Sequence, residues 1–482
     1  MQEIRQQFID GAWRPSNATH GLDVIDPYRE TKIATLTVGS PQDVDAAVQA
    51  ARRALPAWQR LSGEARGRYL DALADGLFAR RDALCRSISR NGGKPLAESQ
   101  LDVDDAVACY RHYATVARQL DARQGESSNA TVTGVHVRRY WDPIGVVGLI
   151  TPWNFPLVTA AWKIAPALTA GCSIVFKPSE VVPLPEQAIA EIAQEIGLPP
   201  GVFNLINGDG AHAGTALTQH PGIDKLSFTG STATGESVMR AAATGVRNVS
   251  LELGGKSAII VTEDADLAQA AGLVLNGIVA NAGQMCSATS RLLVHQALAE
   301  PLYAALSRHI EALVMGDPQD DSTTLGPLVS ARQRETVGRY LAQAEHEGLR
   351  AVSGTRPRQA PGQGYFVTPR LFRDVPVDSR LWREEIFGPV LCARSFASDE
   401  EAIAVANDSD FALAASVVSG SRDRAAAIAQ QLVAGTVWTN MDQVAPPSLA
   451  WGGGRKSGIG RELGQEGLAA YQELKQVMTP MP

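Results

Sequence analysis

The sequence predicts an α/β protein built on parallel sheets with helices on both faces. Short apolar runs alternate with helical periodicity from residue 144 to 254, and a second stretch of the same kind runs from 256 to about 455. Strands that are apolar throughout, rather than on alternate residues, belong to sheets covered on both sides. At 482 residues the chain is too long for one core and divides into two or more domains.

The elements follow in order. A helix is expected at 102–120, then a strand at 144–151, a helix at 156–170, a strand at 172–177 and a helix at 184–196. Strands at 203–206, 225–228 and 248–251 continue the pattern, with helices at 211–220 and 231–243 between them. A strand at 256–261 opens the second stretch, which holds helices at 266–281, 331–347 and 422–432 and a strand at 436–439. Parallel sheets of this kind bind ligands at the carboxyl ends of their strands. Residues 123–142 differ: 130–137 alternates as an exposed hairpin does, and 476–478 adds strand-like residues near the end. Alone, these pieces read equally well as a surface flap or as parts of a small sheet.

Composition excludes several classes. An apolar content of 45% and a charged content of 20% describe an ordinary globular protein. The net charge of −7 is spread along the chain without a basic run, which argues against a nucleic-acid partner. The first residues lack the apolar stretch of a signal peptide, and charge or Pro interrupts every apolar segment before it reaches membrane-spanning length. The five cysteines are scattered and form no CxxC pair, which fits reduced thiols in the cytoplasm and no metal site.

One of those cysteines is set apart. Cys286 lies in Gly283-Gln284-Met285-Cys286-Ser287, a tight loop after an apolar helix rather than a packed interior. A thiolate there attacks an aldehyde to give a thiohemiacetal, and loss of hydride leaves a thioester. Glu252, at the end of the 248–251 strand, suits activation of the water that hydrolyses it; its plainer reading is a structural ion pair. Asn154 is the candidate oxyanion donor together with the Cys286 N–H, or else caps the helix that follows. There is no strong GxGxxG; Gly230 and Ser231, after a strand and before a helix, offer a looser pyrophosphate contact at a helix N-terminus.

Taken in order, Pro152-Trp153-Asn154-Phe155-Pro156, Lys177-Pro178-Ser179-Glu180, Phe228-Thr229-Gly230-Ser231-Thr232, Glu252-Leu253-Gly254-Gly255-Lys256, the Cys286 loop and Glu384-Glu385-Ile386-Phe387-Gly388-Pro389 resemble the NAD(P)-dependent aldehyde dehydrogenase superfamily over nearly the whole chain. The betaine-aldehyde and aminoaldehyde branch is nearest. The resemblance implies a Rossmann-like NAD-binding domain (1–122 and 143–254), an α/β catalytic domain (255–460) and a small β oligomerisation extension (123–142 and 461–482) of a homodimer or homotetramer. It also implies that Lys177 and Glu180 hold the adenine-side ribose, with Thr151, Trp153, Ser179 and Gly254 nearby and Glu385 and Phe387 on the nicotinamide side. Glu180 favours NAD over NADP, because a carboxylate accepts the ribose 2′-OH and repels a 2′-phosphate. Lys163 and Glu462 match positions that relay protons from the base, or form half of a salt bridge each.

For the substrate, Phe155, Trp162 and Trp451 match an aromatic cage around a quaternary ammonium, whereas the fourth cage position is Ala280. Asp102 and Asp105 match acids at the pocket mouth that attract a distal cation, or are ordinary exposed acids. The expected substrate is therefore an ω-amino or guanidino aldehyde, or betaine aldehyde. A semialdehyde, with Arg111 as its anchor, or a general aliphatic aldehyde is the alternative, and a non-catalytic structural relative the remote one.

Overall fold

The computed structural model describes residues 2–4, 6–16, 18, 20–128, 134–352 and 361–481. An eight-stranded sheet runs in the order Gly458–Ile459, Asn248–Glu252, Lys225–Thr229, Val146–Ile150, Ser173–Lys177, Phe203–Leu205, Gln6–Ile9 and Ala12–Pro15. Its middle strands are parallel and its outer pairs antiparallel. Every residue of Val146–Ile150 and Ser173–Lys177 is buried, as helices on both faces require. Chain order reverses at Val146–Ile150: the next strands in sequence lie on one side, and Lys225–Thr229 and Asn248–Glu252 on the other. A crevice opens at such a reversal, outside the carboxyl ends of the strands. Ile150, Lys177, Thr229 and Glu252 are those ends here.

A seven-stranded sheet carries a second core, in the order Arg350–Ala351, Arg370–Arg373, Val390–Phe396, Arg291–His295, Ala258–Val261, Ala414–Val418 and Thr436–Thr439. Only its first pair is antiparallel. A three-stranded antiparallel sheet joins Glu126–Ser127, Val135–Pro143 and Gln472–Pro480, so the two odd segments of the sequence meet. The last strand runs well beyond the expected 476–478, and residues 130–133 of the expected hairpin lie outside the described residues.

Local chemistry explains where helices begin and end. Pro156–Ala170 starts on a Pro and stops at Gly171, which takes φ 96°. The expected helix at 211–220 is instead a wide turn, Gly210–Gly214, leading into Thr215–Gln219; Asp209 holds it open by accepting the His212 N–H at 2.7 Å. The helix expected at 102–120 begins earlier, right after Pro95, and spans Leu96–Leu120. The helix expected at 266–281 spans Leu267–Val279 and then breaks, because Asn281, Ala282 and Gly283 take φ values of 48°, 54° and 74°. A left-handed alanine is unfavourable by roughly 1–2 kcal/mol, so contacts from elsewhere in the fold must impose this turn.

Candidate active site

A cavity of about 780 Å³ opens at the strand ends where chain order reverses. Residues 285–287, 385–387 and 443–445, from the second half of the chain, form its opposite wall.

Cys286 reaches the cavity, partly exposed, just after the left-handed turn. A closed set of amides holds its loop. Asn154 Nδ2 donates to the Gln284 carbonyl at 3.0 Å, and Asn281 Nδ2 donates to the carbonyls of Asn154 and Gln284 at 3.1 and 3.2 Å. Gln284 returns a bond from Nε2 to the Asn281 carbonyl and accepts the Val329 N–H at 2.9 Å. Gly255 packs so closely that a Cβ there would lie 2.5 Å from the Cys286 carbonyl oxygen. Depth in the protein, with Glu385 and Glu252 adding to it, pushes the Cys286 thiol up to about 12. At neutral pH it is a thiol and needs a base before it can attack.

Glu252 ends its strand on the same cavity, buried, and neither carboxyl oxygen has a hydrogen-bond partner among the described residues. A Cβ on Gly452 would lie 2.5 Å from Glu252 Oε1, so only glycine leaves room for the carboxyl there. Burial, then Glu462, raises Glu252 well above the usual carboxylate range, against the pull of Lys163 and Arg461. A buried carboxyl with unfilled acceptors on a cavity is fitted to take a proton from water or thiol.

Behind it, Glu462 Oε1 accepts from Lys163 Nζ and, at 3.3 Å, from Ser227 Oγ, while Oε2 has no partner among the described residues. Lys163 Nζ also donates to Thr229 Oγ1 at 2.7 Å. Glu462 touches the cavity; Lys163 lies behind it and is fully buried.

The expected nucleotide contacts gather at the other end. Thr151, Trp153, Lys177, Ser179, Glu180, Gly230, Ser231, Gly254, Glu385 and Phe387 all line the cavity. Ser231 caps the helix Thr232–Thr244, directing its N-terminal amides at this wall. Lys177 Nζ donates to the Pro178 carbonyl at 2.9 Å and to Glu180 at 3.4 Å, leaving Glu180 partly exposed. Glu385 accepts the Gly255 N–H at 3.0 Å, and burial lifts its carboxyl to about 7. Its place depends on Gly254, where a Cβ would come within 2.1 Å of its Oε2. Trp153 meets Phe387 edge-on, with centroids 5.3 Å apart. Glycine at the places where backbone must approach, a capped helix N-terminus and carboxylates for sugar hydroxyls fit a dinucleotide.

The substrate end differs from expectation in two places. Phe155, Trp162 and Trp451 line the cavity, and Asp105 is exposed at its rim. Asp102 does not line it: the carboxylate is buried and bonded to Lys94 Nζ at 2.5 Å, which cancels its charge for any substrate. A helix that starts at Leu96 turns Asp102 inward and Asp105 outward. Ala280 is not on the cavity wall either, since the helix breaks there. Sequence reading missed Trp438, which also lines the cavity and packs 6.0 Å from Trp451, itself 5.7 Å from Trp162. A tryptophan next to the carboxyl end of the strand Thr436–Thr439 was the available signal.

A thiol and an unpartnered carboxyl facing one crevice suit an enzyme that works on a carbonyl carbon through a covalent sulfur adduct. The chain belongs to the aldehyde dehydrogenase family, whose profile matches residues 13–477. It is 43% identical over 479 residues to a chloroplastic aminoaldehyde dehydrogenase of Arabidopsis thaliana, covering 98% of this chain and 95% of that protein. It is equally 43% identical over 479 residues to a chloroplastic betaine aldehyde dehydrogenase of Amaranthus hypochondriacus, with the same coverage. Among solved structures, betaine aldehyde dehydrogenase from Staphylococcus aureus in complex with NAD+ superposes with a TM-score of 0.95 at 38% identity, over 98% of this chain and 94% of that one.

Proposed function

We propose that this chain oxidises an ω-amino or guanidino aldehyde, or betaine aldehyde, to the carboxylic acid with NAD. The observation that carries the reaction is the pairing of Cys286 with the unpartnered carboxyl of Glu252 on one cavity. Glu252 takes the thiol proton, and the sulfur attacks the aldehyde carbon; a C–S bond forms and the C=O π pair moves to oxygen. Asn154 Nδ2 has one hydrogen on the Gln284 carbonyl and the other for that oxygen, beside the Cys286 N–H. Bound NAD supplies the acceptor for the hydride that leaves this carbon as the C=O re-forms. Once it has passed on the thiol proton, the ionised Glu252 takes another from water, whose oxygen displaces sulfur, and the acid leaves with the thiolate restored. Glu462 and Lys163 lead that proton away through their shared buried bond.

The aromatic wall of Trp162, Trp438 and Trp451, with Asp105 at the rim, supports a cationic substrate end. With Asp102 neutralised by Lys94, Asp105 is the acid left to attract it. Lys177 is held by Glu180, whose carboxylate would accept a ribose 2′-OH and repel a 2′-phosphate, which favours NAD over NADP. Residues 1–122 and 143–254 form the nucleotide-binding part, 255–460 the catalytic part, and the three-stranded sheet, with Leu474 and Met478 exposed, an oligomer contact of a homodimer or homotetramer. Five free thiols suit the reducing cytoplasm, and among the described residues no helix is long and apolar enough to cross a membrane.

NADH formation from 4-aminobutyraldehyde, 4-guanidinobutyraldehyde, betaine aldehyde, succinic semialdehyde and hexanal, each with NAD and NADP, tests this. Higher kcat/KM for the cationic members with NAD is expected; preference for hexanal or the semialdehyde refutes the cationic pocket.

A further inference from the structure

Three successive left-handed residues, two of them not glycine, lead into Cys286, and something outside the turn must hold them. The first of them, Asn281, donates its N–H to Glu98 Oε2 at 2.7 Å. Glu98 sits in the first turn of the long helix Leu96–Leu120, far from the turn in sequence. Part of its side chain is open, yet its carboxyl is deep enough that burial lifts it to about 7, with Lys94 and the Asn281 N–H pulling the other way.

The same helix start supports the opposite wall. Lys94 Nζ, buried and bonded to Asp102, lies 3.7 Å over the Phe155 ring, next to Asn154. Asn154 and Asn281 are already tied through the Gln284 carbonyl. Nucleophile turn and oxyanion donor are therefore both braced on one short stretch, residues 94–102, that does not itself line the cavity.

We infer that Glu98 is a positioning residue: by accepting the Asn281 N–H it fixes the left-handed turn that delivers Cys286 to the carbonyl. This rests on Cys286 being the nucleophile. Hydrogen-bond acceptance at the right reach is the requirement, rather than negative charge. Lys94 and Asp102 are the charged neighbours that would make charge the rival explanation.

Three variants separate the two. Glu98→Gln keeps the reach and an acceptor oxygen but loses the charge; Glu98→Asp keeps the charge but draws the acceptor back; Glu98→Ala loses both. Each full-length variant is assayed for the rate of the first NADH burst, NAD Kd by fluorescence quenching, and Tm. The burst is expected to slow about tenfold or more in Asp and Ala and to stay within about threefold of the native rate in Gln, with NAD Kd unchanged. A native burst rate in Ala, or an Asp variant faster than Gln, overturns the inference. If Ala does not fold, the Asp-against-Gln comparison decides alone. Cys286→Ala runs beside them: a burst from that variant refutes the nucleophile, whereas a silent Cys286→Ala with a native Glu98→Ala refutes Glu98 only.

Discussion

Removing the Asn154 side chain should separate catalysis from stability. In Asn154→Ala the growing oxyanion loses one of two donors, a loss of about 3 kcal/mol in transition-state stabilisation. At about 1.4 kcal/mol per factor of ten, hydride formation should slow roughly a hundredfold or somewhat more. The cost to the fold is smaller, and the structure says why. Asn154 Nδ2 donates to the Gln284 carbonyl, but that oxygen also accepts from Asn281 Nδ2 at 3.2 Å, so it is not left bare. One net hydrogen bond, about 1 kcal/mol, is then the loss in stability. Stopped-flow NADH bursts at saturating aldehyde and NAD, with Tm measured on the same samples, give both quantities. A burst slowed less than about fivefold, in a protein of nearly native Tm, would show that the amide does not face the oxyanion.

Because Glu252 acts both in freeing the thiolate and in releasing the acid, Glu252→Gln should slow the NADH burst as well as steady-state turnover, the latter by about a hundredfold or more; a burst at the native rate would confine its role to releasing the acid. Because burial raises Glu252, native acid release should climb with pH through and above neutrality, and a flat profile from pH 6 to 9 would contradict the unpartnered carboxyl. Asp105→Asn should raise KM for 4-aminobutyraldehyde several-fold and leave hexanal unchanged; equal effects on both would remove the rim acid from substrate binding. Glu186 is buried beside Thr151, which donates to it at 2.7 Å, and burial holds its carboxyl well above the usual range. Its bound proton stabilises the native state most below the ordinary carboxylate value, near 4.3, and that contribution is lost as pH rises toward the folded one. Glu186→Gln keeps the acceptor and removes the slope, so its gain in Tm should be larger at pH 8 than at pH 5; an equal difference at both would disprove the assignment.

Much of this was legible in the sequence, for identifiable reasons. Val146–Ile150 is apolar at every residue because both faces of its sheet are covered, and Pro156 and Gly171 bracket their helix by backbone chemistry alone. Cys286, Glu252 and Asn154 stand on glycine- and proline-marked turns, so their convergence followed from the topology. Asp102 was not legible. Its partner Lys94 precedes the helix and Pro95, so no helical spacing relates them; only the path of the chain does. Nor was the break after Val279, since Ala282 is a helix former held left-handed by contacts from Glu98 and the amides around Gln284.

The strand that ends in Glu252 is paired with Gly458–Ile459, Glu252 lying opposite Gly458, and a bridge ties Trp451 to Glu462. Gly458 takes φ 137°, and a Cβ there would lie 1.9 Å from the Leu251 carbonyl, so this ladder admits no side chain. The backbone that carries Glu252 and Glu462, the proposed proton carriers, is thus fixed by main-chain pairing. Gln443, Val444 and Ala445 belong to a segment outside any strand or helix, and it walls the aldehyde end. A molecule built this way can exchange its clientele without retuning its chemistry. Diversity among descendants, natural or engineered, should accumulate in that segment, while the ladder beside it tolerates almost nothing.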